Sequence, residues 1–170
     1  MAPPPSTVVS PVTAVLLRIL TFVFLLVSLV ILITNTVTLY LSIDSIDEIT
    51  KLHFKDVYAY RYMVASIVTG IAYTLLQTVF NIFQVSMGKR VGGVGLYQFD
   101  CYGDKVMSYI LATGASAGFG ATIDLKSAFS LGAADKFFNK AIVASTLLLL
   151  GFLSTAISSV FSSLALPKRD

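Results

Sequence analysis

Charge is scarce in this sequence. Only 12% of its 170 residues are Asp, Glu, Lys or Arg, whereas 56% are hydrophobic and the mean hydropathy is +0.84. A soluble domain carries about a quarter of its residues charged, so this composition indicates that lipid surrounds most of the chain. The net charge of +3 is small and scattered, which excludes the basic patch of a nucleic-acid-binding protein.

Residues that build chemical sites are also few, with one cysteine, one histidine and no tryptophan. The single Cys101 excludes an intrachain disulfide and a cysteine-based metal cluster, although a juxtamembrane thiol leaves lipidation open. His53 stands in a loop without the partners that a metal site or a Ser/His/Asp set requires. The sequence therefore predicts no catalytic residue, no metal, no cofactor and no enzymatic activity.

The spacing of the few charges divides the chain into membrane-spanning segments. A helix needs about 20 largely apolar residues to cross the hydrocarbon core, and four runs of the sequence meet this condition. We predict an all-α integral membrane protein, a four-helix bundle. The predicted helices are 12–40, 57–84, 104–125 and 141–166.

The segments outside the helices are short. Residues 1–11 are rich in Pro and Ser and predict a disordered cytoplasmic leader, 12–166 form one four-span membrane domain, and 167–170 form a cytoplasmic tail. An even number of spans places both termini on the same side. The basic runs "GKR" (88–90) and "PKR" (167–169) lie next to helix ends and favour the cytoplasm for that side.

One charge lies inside a predicted span. Arg18 is about two turns into the first helix, where a charged side chain costs a few kcal/mol unless it snorkels or is paired. The first and third helices of an alternating bundle run in the same direction, so Arg18 and Asp104 lie in the same leaflet. The two form either an intramembrane ion pair, or a snorkelling Arg18 and a helix-capping Asp104.

Small residues crowd the third predicted helix. Gly114 and Gly118 form a GxxxG pattern, which allows close approach of helices in lipid. The other members of this small face are Ala112, Ser116, Ala117, Gly120 and Ala121. The pattern predicts a helix-packing surface, and packing within the chain is favoured over packing against another subunit.

Two amides lie at the same depth as the predicted pair, near the end of the second helix. Gln77 and Asn81 either extend a buried polar cluster by hydrogen bonds between helices or face the lipid head groups.

Several segments together resemble one family, the Casparian strip membrane domain protein-like (CASP-like) proteins of plants, relatives of the MARVEL four-span group. The resemblance rests on the following stretches: "LLRIL" around Arg18, "HFKDVYAYRYMVAS" from His53, "YGDKVMSYILATGASAGFGA" from Tyr102, "DKFFNKAIVASTLLLLGF" from Asp135 and the closing "SSLAL". It covers nearly the whole chain after the leader.

The resemblance implies a multi-pass protein of the plasma membrane with both termini in the cytoplasm. It also implies association with itself and with other CASP-like proteins, and it maps the family's helix-one Arg and helix-three Asp onto Arg18 and Asp104. The founding members recruit wall-modifying enzymes, and their first extracellular loop carries an apolar, Phe-rich signature that Ser42–Asp56 lacks. What remains is a non-enzymatic scaffold that organises a membrane domain.

A channel or transporter is the alternative function. Intramembrane polar residues often line ion paths, and in so short a bundle such a path has to form between subunits. The candidates for it are Arg18, Asp104, Gln77 and Asn81. Membrane lipids are expected contacts in either case, and nucleic acid is not.

Overall fold

The computed structural model describes residues 11–43, 46–86, 94–128 and 135–164. In these ranges the chain forms four helices and one hairpin. The helices are α1 (Pro11–Ile33), α2 (Tyr58–Ser86), α3 (Val94–Ala128) and α4 (Asp135–Leu164), and the strands are β1 (Thr36–Ile43) and β2 (Ile46–His53). A short 3-10 turn, Phe54–Asp56, joins β2 to α2.

Each of the four helices is long and apolar enough to cross a membrane. The spans are Thr13–Ile33, Tyr58–Phe83, Cys101–Ser127 and Asp135–Ser163. This confirms the prediction of a four-helix membrane fold, to which the hairpin between α1 and α2 is a small β addition.

The first helix is shorter than the predicted 12–40, because it ends at Ile33 and residues 36–43 form β1. The Asn35 side chain donates a hydrogen bond of 2.9 Å to the carbonyl oxygen of Phe137 in α4, which fixes the point where the chain leaves the helix. The sequence "TVTLYLSI" that follows is apolar enough to continue a span. Its Thr, Val, Tyr and Ile favour a strand, however, and it pairs in antiparallel register from Thr36 opposite His53 to Ile43 opposite Ile46.

The third and fourth helices begin earlier than predicted. The third starts at Val94 rather than 104 and continues to Ala128, so that its first turns precede the apolar span beginning at Cys101. The fourth starts at Asp135 rather than 141, because a carboxylate in the first turn stabilises a helix N-terminus and because Phe137 and Phe138 in the same turn are buried. The leader 1–10, the last predicted helical residues 165–166 and the tail 167–170 lie outside the described residues.

The helices form a closed ring in chain order. Contacts run from α1 to α2, α2 to α3, α3 to α4 and α4 back to α1, so α1 and α3 lie diagonally opposite one another. Leu25, Ile67, Leu111 and Leu148, one from each helix, are at most 1% exposed and lie in the shared core.

Hydrogen bonds tie the helices together at the end of the bundle next to the hairpin. Tyr60 of α2 bonds to the Thr122 hydroxyl of α3 at 2.9 Å, and its ring meets that of Phe137 edge-on at 6.1 Å. Nearer the middle, Ser28 of α1 donates to the Ala144 carbonyl of α4 at 2.7 Å. Buried polar groups in a bundle of this kind require such partners because lipid offers none.

Candidate functional site

The two charges predicted to meet inside the membrane are in contact. Arg18 Nη1 lies 3.3 Å from Asp104 Oδ1, and Arg18 Nη2 lies 3.4 Å from Asp104 Oδ2. The parallel arrangement of two donors and two acceptors is the paired geometry that suits a guanidinium and a carboxylate. Arg18 is 6% exposed and Asp104 1%, so the long Arg18 side chain crosses the bundle diagonal instead of reaching toward the head groups.

Asp104 is not a helix cap. It lies well inside α3, which starts at Val94, so the carboxylate is too far from the free amides of the first turn to satisfy them. The alternative in which Asp104 caps the helix is therefore wrong, and the carboxylate instead faces the centre of the bundle.

Two hydroxyl groups complete the coordination of the Asp104 carboxylate. Tyr73 of α2 donates to Oδ1 at 2.8 Å, and Ser158 of α4 donates to Oδ2 at 3.0 Å. Arg18, Tyr73, Asp104 and Ser158, here called the Asp104 cluster, thus include one side chain from each helix. A buried charge is tolerated only when it is paired and its remaining acceptor positions are filled, and the cluster meets both conditions.

The two predicted amides behave differently. Gln77 is fully buried, and its Nε2 donates to the Tyr73 hydroxyl at 2.9 Å, which holds the phenol in line with Asp104. Asn81, one turn farther along α2, is partly buried, and no hydrogen bond among the described residues links it to the Asp104 cluster. Gln77 is therefore a supporting member of the cluster, and Asn81 lies outside it.

Tyr73 and Ser158 are the members that the sequence did not reveal. Tyr73 is four residues before Gln77 on the same helix face, and Gly103 directly precedes Asp104. A β-carbon at Gly103 would lie only 2.5 Å from the Tyr73 oxygen, so the glycine makes room for the phenol. The Tyr-xxx-Gln spacing and the Gly-Asp pair are the signals that together could have indicated this contact.

The Asp104 cluster links the four helices through a single carboxylate. Both oxygens of this carboxylate accept hydrogen bonds from side chains of the same protomer, which holds the helices together. Within the described residues, no three His, Cys, Asp or Glu side chains come together as a metal site requires.

The small face of α3 divides between the inside and the outside of the bundle. Gly114 faces Ser66 and Leu148, Gly118 faces Met63 and Ser145, and Ala115 between them is fully buried. The remaining predicted members lie elsewhere: Ala112, Ala117 and Ala121 are half-buried, whereas Ser116 and Gly120 are exposed. The GxxxG pattern thus packs within the chain, and part of the small face remains on the outer surface.

Comparison with known families identifies the family of this chain. The model of the Casparian strip membrane protein domain matches residues 8–154, most of the chain. The chain belongs to the CASP-like family. Similar relatives include CASP-like protein 4D1 of Ricinus communis, 56% identical over 99% of both chains, and CASP-like protein 4D2 of Arabidopsis thaliana, 47% identical over 100% of both. CASP-like protein 4D1 of Glycine max is 44% identical, covering 98% of this chain and 94% of the relative. No solved structure matches the chain.

The CASP-like domain match and the Asp104 cluster overlap only in part. Arg18, Tyr73 and Asp104 fall within the matched residues 8–154, whereas Ser158 follows them in the last turns of α4. The fourth hydrogen-bonding side chain of the cluster is thus supplied by a stretch that the CASP-like domain model does not reach.

The only cysteine of this CASP-like chain is held inside the bundle. Cys101 is 2% exposed, and its Sγ lies 3.2 Å from the Ser163 hydroxyl of α4. A thiol in this position packs between α3 and α4 and does not face the lipid.

We expect Gly103→Ala to destabilise this CASP-like protein by about 1–3 kcal/mol, the usual range for overpacking a filled interior. The added β-carbon would lie 3.0 and 3.1 Å from Tyr73 ring atoms as well as 2.5 Å from its oxygen, so the rigid phenol has to leave Asp104. Denaturant unfolding in detergent, followed by circular dichroism, measures the change.

Gly120→Ala is the matched control for this experiment. A β-carbon at Gly120 meets nothing within 4 Å, so the substitution adds only the helix preference of Ala over Gly. Equal stability of the two variants would show that Tyr73 is not held where the structure places it.

Proposed function

We propose that the chain is a non-enzymatic scaffold of the plasma membrane that associates laterally with copies of itself and with other CASP-like proteins. Such assemblies organise a membrane domain and offer short extracellular segments to cell-wall-modifying partners. The family membership supports this proposal, and its main structural support is the outer surface of α3.

The outer surface of α3 lacks bulk in the middle of the membrane. Between Tyr109 and Ile123 the exposed positions of α3 are Thr113, Ser116 and Gly120. In contrast, α1 exposes the large residues Leu16, Ile19, Leu20, Val23, Leu26, Val27, Val30 and Ile33. Helices associate in lipid where small residues let backbones approach closely, so the surface formed by Thr113, Ser116 and Gly120 is suited to a protein neighbour and that of α1 to acyl chains.

Two hydrogen bonds hold the polar side chains of this surface in place. The Thr113 hydroxyl bonds to that of Tyr62 in α2 at 2.9 Å, and Ser116 donates to the Ala112 carbonyl at 2.9 Å. Because these hydroxyls already have partners within the protomer, the contact between protomers is made by close packing around Gly120.

The orientation of the chain in the membrane is part of this proposal. We infer that both termini are cytoplasmic, from the basic runs at 88–90 and 167–169 together with the family's topology. The hairpin of β1 and β2 and the connection from α3 to α4 are then extracellular.

A channel between subunits is the weaker alternative. Arg18 (6% exposed), Asp104 (1%) and Gln77 (0%) face one another inside a single protomer, where they are not available to line a path between protomers. Flux of ions or small solutes through liposomes containing the purified protein distinguishes the two functions, because the scaffold is expected to give none above that of empty liposomes.

Gly120→Leu tests the scaffold proposal. We expect single-molecule counting of a fluorescent fusion in plant plasma membrane to show several copies per assembly for the unmodified protein. The leucine variant should give mostly single copies and faster lateral diffusion, because the new side chain holds two α3 helices apart. The protomer itself is expected to fold, since the space beyond Gly120 is open.

Thr146→Leu is the control, because it places the same leucine side chain on the exposed surface of another helix, α4. The Thr146 hydroxyl donates only to the Ile142 carbonyl of its own helix. If Gly120→Leu and Thr146→Leu gave the same copy number as the unmodified protein, α3 would not be the contact surface. A single copy for the unmodified protein would overturn the proposal.

A further inference from the structure

A small cavity lies beside the Asp104 cluster, between the four helices. Its volume is about 10 Å³, and its walls include Arg18, Thr21, Thr74 and Thr155. About this much space is needed for one water molecule, provided that the walls offer polar partners.

One wall of this cavity carries a donor that the ion pair does not use. Arg18 bonds to Asp104 through Nη1 and Nη2, whereas its Nε is buried and has no hydrogen-bond partner among the described residues. A buried N–H of a charged group without an acceptor is strongly unfavourable, and within the described part of the chain no carbonyl or hydroxyl accepts from it.

Three threonines supply acceptors on other walls. Thr21 donates its hydroxyl hydrogen to the Leu17 carbonyl at 2.9 Å, Thr74 to Gly70 at 2.7 Å and Thr155 to Gly151 at 2.9 Å. Each hydroxyl proton is thereby used within its own helix, and each oxygen keeps lone pairs that can accept. All three residues are buried, being 4%, 5% and 7% exposed.

We propose that this cavity is a binding site for a single structural water molecule. The water accepts a hydrogen bond from Arg18 Nε–H and donates its own two hydrogens to threonine oxygens. Three hydrogen bonds are the usual number for a buried water. The molecule thus gives Arg18 Nε–H an acceptor and links α1 to α2 and α4 beside the ion pair.

The charges around the cavity favour a neutral ligand. An anion would approach Arg18 but would also lie beside the buried Asp104 carboxylate, and a cation would be repelled by Arg18. A chloride ion is in addition larger than the single water-sized space. Water is both small enough and able to donate and accept at once.

The test uses bilayer-reconstituted full-length protein labelled with ¹⁵N-arginine. Arg18 shares this label only with Arg61, Arg90 and Arg169. In solid-state NMR we expect the Arg18 Nε–H to receive polarisation from water protons even though the residue is buried. The loss of one acceptor in Thr74→Val should speed exchange of this water about fivefold, the factor that corresponds to one ordinary hydrogen bond.

Thr69→Val is the matched control. Thr69 lies on the same helix and donates to the Ala65 carbonyl at 2.8 Å, but it faces outward, away from the cavity. Its substitution should leave the Arg18 signal unchanged. No transfer from water to Arg18 Nε in the unmodified protein would overturn the proposal, as would equal exchange rates in the two variants. A high-resolution electron cryomicroscopy map gives an independent readout, in which a density peak within hydrogen-bond distance of Arg18 Nε is expected and its absence would count against the site.

Discussion

Asp104→Leu is expected to destabilise the protein more than any other single substitution in the Asp104 cluster, by about 3–5 kcal/mol. The change leaves the Arg18 guanidinium buried without a counter-charge. It also removes the acceptor of the Tyr73 and Ser158 hydroxyls, which now lie 2.8 and 3.0 Å from the carboxylate oxygens. Arg18→Leu should cost less, because Asp104 then keeps both hydroxyl donors. Unfolding in detergent and delivery to the plasma membrane measure both effects.

The double variant Arg18→Leu, Asp104→Leu should recover part of this loss. Replacing both members of a buried ion pair with apolar groups removes the uncompensated charge, and such exchanges are often close to neutral. A positive coupling energy in the double-mutant cycle is therefore expected. If the effects of the two substitutions simply added, Arg18 and Asp104 would act independently despite their contact.

An exposed ion pair in the same chain serves as the control cycle. Lys126 Nζ and Asp135 Oδ1 lie 3.9 Å apart, with side chains that are 47% and 57% exposed. Exposed pairs of this kind contribute about 0–1 kcal/mol, so the cycle of Lys126→Gln and Asp135→Asn should show little coupling. The contrast between the two cycles measures what burial adds to the interaction.

The main features of the bundle could be predicted because the physics of lipid leaves few alternatives. A charge such as Arg18 inside a span needs a partner, and Asp104 was the carboxylate in the same leaflet on the helix that runs in the same direction. The four spans followed from the gaps between charges. These arguments use only the depth of a residue in the membrane and the direction of its helix, and both can be derived from the sequence.

The rest depended on rotation of the helices about their axes, which depth does not record. Tyr73 and Ser158 lie at the right depth to reach Asp104, but so do other side chains, and only packing decides which ones face inward. For the same reason Gln77 joins the cluster whereas Asn81 does not. At the end of α1, hydropathy predicted a longer helix because the apolar residues of β1 satisfy the same threshold as a span.

Rotation also explains why the small face of α3 has two roles. Gly114 and Gly118 are one turn apart and face α2 and α4, whereas Gly120 lies two residues after Gly118 and points away from both. A GxxxG pattern identifies a close contact but not the partner. The partner is decided by which side of the helix faces the bundle centre.

Gly118→Leu is the substitution that distinguishes these two sides most strongly. A β-carbon at Gly118 would overlap the Ser145 hydroxyl oxygen and would lie 2.7 Å from the Met63 sulfur, so a leucine has to push α2 and α4 away from α3. We expect a loss of about 3 kcal/mol or more, at the upper end of overpacking effects, together with retention inside the cell. Thermal unfolding of the purified protein measures the loss.

Gly120→Leu introduces the same side chain two residues later and should leave the unfolding temperature nearly unchanged, while copy number falls as argued above.

Adding Ser145→Gly to Gly118→Leu should restore part of the stability, because it removes the hydroxyl that the new side chain meets on α4. If both leucine variants unfolded alike, the inner and outer sides of α3 would not be distinct. If Ser145→Gly gave no recovery, the α3–α4 contact would not be what limits the size of residue 118. Recovery of the unfolding temperature by Ser145→Gly, with an unchanged copy number, would show that the inner contact sets the stability of the protomer. The fall in copy number in Gly120→Leu would show that the surface around Gly120 sets its assembly.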